Sequence, residues 1–169
     1  MKKIKIFQFT FLSFIIVLAS CNEKVVKNYQ VTGAILRAEG PLYDGPNTLQ
    51  VIHQLNLQSI DPKITTENIE SVKLIKATVQ TADSVGFNRV RNFVFQITSR
   101  DAKMQKVAAL NPVPKGRNEV ELSQAAEADL SDNFGQSDII LILDADIEGD
   151  WEENFEYTGS FDFEITYKR

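Results

Sequence analysis

Apolar and polar positions alternate with a period of two along most of the chain after residue 28. In "LQVIHQLNLQ", Leu49, Val51, Leu55 and Leu57 share one face, and Gln50, Gln54, Asn56 and Gln58 share the other, as a half-buried strand requires. "FDFEITYK" repeats the pattern, setting Phe161, Phe163, Ile165 and Tyr167 against Asp162, Glu164, Thr166 and Lys168. Short runs rich in β-branched and aromatic residues recur at "NYQVTGAILR", "SVKLIKATVQ", "VRNFVFQIT", "KVAAL", "NEVEL" and "DIILILDADI", so eight strands are expected.

The punctuation between these runs reverses the chain: Gly40-Pro41, Gly45-Pro46, Asp61-Pro62, Asn111-Pro112, Gly116, Gly149 and Gly159. No long amphipathic helix interleaves the strands, which argues against parallel β-α-β units. One helix is expected, in "SQAAEADLSDNFG", with Ser123 placed to cap its start and Gly135 to end it. The expected fold is mainly β, an antiparallel two-sheet sandwich of immunoglobulin-like class with one short helix, with a barrel as the alternative.

The first stretch, "MKKIKIFQFTFLSFIIVLASCNEK", departs from this pattern. Lys2, Lys3 and Lys5 precede an apolar run from Phe11 to Ala19 that is shorter than the roughly 20 residues a membrane span needs, and small residues follow at once. That is the form of an export signal. Its end, Leu18-Ala19-Ser20-Cys21, resembles the lipobox of bacterial lipoproteins. The resemblance implies cleavage before Cys21, acylation of its thiol and attachment to a membrane through lipid. The chain has a single cysteine, which a thioether-linked lipid uses and a disulfide would leave unpaired. In such lipoproteins the residue after the cysteine guides sorting. Asn22 is not the aspartate that retains some of them at the inner membrane, so the outer membrane is the expected address. The expected organisation is a signal peptide at 1–20, a lipidated N-terminus and short tether at 21–28, and one domain at 29–169. Residues 22–28 reach at most roughly 25 Å, at about 3.5 Å per residue.

Removal of Lys2, Lys3 and Lys5 leaves 15 of the 18 basic residues against 23 acidic ones, a formal charge of −8. Nucleic acid is a poor fit for such a surface. The densest basic spot, Arg89 with Arg91, lacks an interleaved aromatic platform. An acidic balance also disfavours electrostatic adhesion to anionic headgroups, which leaves the lipid as the membrane link.

Three features bear on chemistry. In "DADIEGDWEE", Asp144, Asp146, Glu148 and Asp150 resemble the ligand spacing of a calcium loop, but the position that should carry a bidentate glutamate is Phe155. Asp144, Asp146 and Glu148 also share one face of a strand that alternates with Ala145 and Ile147, so a solvated strand end is expected and no metal site. The only histidine, His53, lies in phase with Val51 and Leu55, the place of a hydrogen-bonded core residue rather than a general base. Without a second histidine or a free thiol, no catalytic residue, metal or cofactor is assigned. The third feature is "GDWEENFEYTG", which gathers Trp151, Phe155 and Tyr157 among acids in an expected loop over 149–159. Aromatic faces beside carboxylates suit a partner's basic residues or a hydroxyl-rich ligand, while the plainer alternative is that the rings plug the open end of the core.

The function expected from these features is a non-enzymatic, membrane-anchored envelope lipoprotein whose β-domain contacts an envelope protein or glycan through Trp151, Phe155 and Tyr157. A carbohydrate-capture module, with exposed and coplanar rings, is the first alternative. A hydrolase using paired carboxylates is the second.

Overall fold

A computed structural model describes residues 23–82, 86–125 and 128–169. The export signal, the lipobox-like residues Leu18 to Cys21 and the proposed acylation at Cys21 lie outside the described residues. Nine strands and one short α-helix occur among those described: β1 (Lys24–Ala38), β2 (Gly45–Gln54), β3 (Ile69–Gln80), β4 (Val90–Thr98), β5 (Gln105–Leu110), β6 (Glu119–Glu121), β7 (Ser123–Gln124), α1 (Ser131–Phe134), β8 (Asp138–Ile147) and β9 (Phe155–Lys168). Every strand pairing is antiparallel. The fold is mainly β with one short helix, as the alternation predicts. β4 and β8 begin and end at the residues read from the sequence.

The expected division into two sheets gives way to one sheet with the order β6-β3-β9-β1-β2-β8-β4-β5-β7, nearly closed into a barrel. Two seams account for this. β1 and β2 meet at a single register pair, Arg37 with Gln50. At the opposite side, β6 and β7 are the two ends of the sheet, separated along the chain by Leu122 alone. β6 pairs with β3, the Leu122 amide donates to the Ala77 carbonyl at 2.9 Å, β7 pairs with β5, and the Ala125 amide donates to the Val107 carbonyl at 2.9 Å. One short stretch thus satisfies part of both edges, where exposed backbone groups would otherwise invite other strands.

That stretch also corrects the expected helix. Ser123 pairs in a strand instead of capping a helix, and α1 is confined to Ser131–Phe134, ending at Gly135 as anticipated. The open edge of β5 offers Ser123 and Gln124 ladder bonds, which satisfy backbone groups that a helix cap at Ser123 would leave to other partners. The Asp129 carboxylate accepts from the amides of Ser131 and Val72, both at 3.0 Å, tying α1 to β3. Phe134 then packs against Phe163 at 5.0 Å, closing this end of the interior.

The two halves of the flattened barrel meet through their inward faces. Phe93 and Phe95 on β4, Leu141 and Leu143 on β8, and Phe161, Phe163, Ile165 and Tyr167 on β9 are all fully buried. Phe95 and Phe161 stack across the interior with centroids 4.2 Å apart. Phe87, Phe93 and Tyr157 make three edge-to-face contacts at 5.2 to 5.5 Å. Such pairs add about 0.5–1.5 kcal/mol each beyond the area they bury. β1 bulges between Val31 and Ala34, where Gly33 takes φ +68°, a left-handed conformation that side-chain-bearing residues rarely adopt.

β1 begins at Lys24, within the segment read from the sequence as a tether. The chain's end is secured beside it. The Arg169 amide donates to the Glu23 carbonyl at 3.0 Å. The Tyr167 hydroxyl donates to the buried Asp61 carboxylate at 2.5 Å, and the Arg169 guanidinium donates to it at 3.1 Å. The Tyr167 bond, then the Lys63 amide, then Arg169 hold the Asp61 carboxyl well below the usual carboxylate range. A carboxyl whose pKa is depressed by folding contributes stability above its unfolded value, near 3.9, and that contribution is lost as pH falls through the folded value. Asp61→Asn should therefore lower the Tm at neutral pH and flatten the loss of stability below about pH 4, as thermal melts across that range would record.

Candidate functional site

The segment joining β8 to β9 lies at the far end of β1 from residue 24. Ala38 pairs with Phe155, and just beyond them Leu42 and Trp151 exchange two backbone bonds, at 2.7 and 2.9 Å. This clamp depends on Gly40. A Cβ there would stand 2.7 Å from the carbonyl oxygens of both Glu152 and Glu153, so any side chain would push the two segments apart. The Gly40 amide also donates to the Asn154 side-chain oxygen at 3.1 Å.

The expected loop over 149–159 is shorter than predicted, because β9 starts at Phe155. Phe155 and Tyr157 occupy inward positions of that strand and are buried. Of the three aromatic residues read as a contact surface, Trp151 alone is partly open to solvent. The rings form a chain of edge contacts, Trp151 to Phe155 at 5.2 Å and 64°, and Phe155 to Tyr157 at 4.7 Å and 66°. They are tilted and continue into the Phe87–Phe93 cluster, so they do not make the exposed, coplanar platform on which a sugar ring would stack. Trp151 therefore packs against the core, as a plug would, while part of its ring stays open to solvent.

Arg89 packs on that outward part. Its guanidinium lies 4.6 Å from the indole centroid, and it donates to the carbonyls of Glu148 at 3.1 Å and Asp150 at 2.8 Å. No local spacing joins Arg89 to Trp151, and only the turn ahead of β4 brings them together. Two adjoining hollows flank the ring. One, of about 300 Å³, is lined by Thr81, Gly86, Trp151, Glu153, Asn154 and Glu156 among others. The second, of about 330 Å³, is lined by Arg89, Asp150, Trp151, Glu152 and Glu153.

The acids that suggested a calcium loop are distributed among other partners. Asp144 accepts from Thr48 at 2.7 Å and Gln96 at 2.6 Å; Asp146 accepts from Arg91 at 2.8 Å and Asn92 at 2.9 Å. Arg91 also donates to Asp44 at 2.5 Å. The Gly149 amide, then Arg91, hold the Asp44 carboxyl below its ordinary value, while Asp44 and then Asp146 raise that of Arg91. Among the described residues no three His, Cys, Asp or Glu side chains converge in the manner of a metal site. His53 is half-buried on β2 and hydrogen-bonds the Tyr29 hydroxyl at 2.9 Å; burial lowers its pKa. This is the hydrogen-bonded position expected of it.

No family model and no curated protein matches the chain. Among solved structures, a chain in the structure of the Gx strain of infectious bursal disease virus is similar at a TM-score of 0.45 and 14% identity, over 85% of this chain and 33% of that one. That likeness is too weak to carry fold or function.

Two outcomes follow from the geometry. Trp151→Ala should cost about 1–2 kcal/mol in denaturant melts, between the loss expected at an exposed site and the 3–5 kcal/mol of a fully buried large ring. Millimolar calcium should leave the Tm unchanged, since a cation bound only by the native state would raise it by mass action. A calcium-dependent rise abolished by Asp146→Asn would show that the acids serve a metal instead.

Proposed function

We propose that the chain is a non-enzymatic envelope lipoprotein, acylated at Cys21 and held at the outer membrane, whose β-domain presents the Trp151 end to a partner protein. In this reading the flattened barrel is an immunoglobulin-like sandwich whose two sheets have fused along β1 and β2. The observation that carries the proposal is the course of β1. It starts at Lys24, close behind Cys21, and ends at Ala38 beside the Trp151 clamp. At about 3.3 Å per residue, a strand of 15 residues spans roughly 45–50 Å. Lipid at one end of that strand places the hollows beside Trp151 at the other, facing away from the bilayer. Loops mounted at the end of a rigid β scaffold are common sites of recognition, and a tryptophan in a hollow rimmed by polar groups is a frequent energetic anchor. The tilt of the aromatic rings favours a protein partner over a stacked glycan.

The test combines anchor and surface in one strain. Wild-type protein should incorporate a metabolic fatty-acid label and fractionate with membranes, while Cys21→Ser should lose the label and the membrane association. A photo-crosslinking residue at Tyr43, which is 65% exposed near the clamp, should capture an envelope protein that a probe at Val26, 52% exposed near the anchored end, does not. Label retained by the serine variant would refute the anchor, and identical capture from both positions would refute the surface.

A further inference from the structure

We infer that the hollow of about 300 Å³ beside Trp151 receives a lysine or arginine side chain of the partner, an inference that rests on the contact surface proposed above. Its described lining contains two carboxylates, Glu153 and Glu156, the amide of Asn154 and the hydroxyl-bearing Thr158, and no basic side chain. Glu153 makes no hydrogen bond or ion pair with another described residue. Glu156 is engaged through one oxygen by Arg37 at 2.7 Å. The Asn154 side-chain oxygen already accepts from Gly40, which leaves its NH₂ group to turn outward.

The fold itself shows what this ring accepts. Arg89 has been drawn onto the indole at 4.6 Å, and its hydrogen-bond partners among the described residues are carbonyl oxygens. A guanidinium on an indole is stabilised by the negative face of the ring, and nearby carboxylates or carbonyl dipoles add to that attraction. The adjoining hollow offers the same ring residue with Glu153 and Glu156, and no basic side chain among its described lining residues. Its volume suits one long side chain rather than a folded segment. An anion would meet two glutamates there. A neutral sugar would find hydroxyl partners but no flat stacking surface.

Trp151 is the only tryptophan in the chain, so its emission reports directly on this site. The full-length lipidated protein, purified in detergent, is titrated with a capped tri-arginine peptide, with capped tri-glycine and methyl glucoside as controls and putrescine as a small free diamine. The tri-arginine peptide should shift the emission saturably, and the controls should not. Glu153→Gln should weaken that binding about tenfold, the scale of one lost charge-assisted contact, and added salt should weaken the wild type similarly. Arg37→Gln, which releases Glu156, should strengthen it. No emission change with tri-arginine, or an unchanged affinity in Glu153→Gln, would overturn the inference. Putrescine binding as tightly as the peptide would overturn a protein side chain as the source of the cation. Envelope crosslinking at Tyr43 with no response to any cationic probe would remove the ligand class and leave the contact surface standing.

Discussion

A β-sheet has two edges whose backbone groups need partners, and the architecture here depends on how one segment meets that need. Residues 119 to 125 bond to β3 through β6 and Leu122, then to β5 through β7 and Ala125, so one crossing draws both ends of the sheet together. Once closed in this way, the sheet encloses an interior that only its inward side chains can fill. The large rings of β4 and β9 do so, and Phe95 on Phe161 fixes the distance between the two faces.

Closure at the side leaves the two ends of the barrel to be sealed separately. One end is sealed by Phe134 on its single helical turn and by the Asp61–Tyr167–Arg169 cluster, which binds the chain's end to the core. At the other end, the aromatic chain runs outward from Phe93 through Tyr157 and Phe155 to Trp151. The outermost member of a plug is necessarily half in solvent. That position gives Trp151 its double character, packed on one side and available on the other, and it draws Arg89 onto the ring.

Much of this was legible because the pleat writes itself into the sequence. Every inward residue of β9 from Phe161 to Tyr167 was readable from alternation, as were the acids of β8 that turn outward and the place of His53. The likeness of the first residues to an export signal was legible for a different reason, since a short apolar run and its flanking residues are read as linear sequence. Three elements escaped. Phe155 and Tyr157 read as loop residues because Glu152 to Asn154 interrupt the alternation just before them, and their strand is defined by Ala38 and Leu36 on β1. Ser123 read as a helix cap because the β5 edge that claims it is remote in sequence. Arg89 read as part of a basic spot, with nothing nearby to reveal the indole beneath it.

The sequence by itself determined most of the strands and their inward faces, the acidic balance and the likeness of its first residues to a lipoprotein signal. Each of these is local, set by the period of the backbone or by residues within one turn or strand. The tertiary structure alone decided that two expected sheets become one nearly closed sheet, and that Gly40 brings Leu42 against Trp151. It also decided that Arg89, Glu153 and Glu156 gather around one ring. These are pairings between distant segments, chosen by which unsatisfied backbone edges and aromatic surfaces can be satisfied together, and no local pattern encodes that choice.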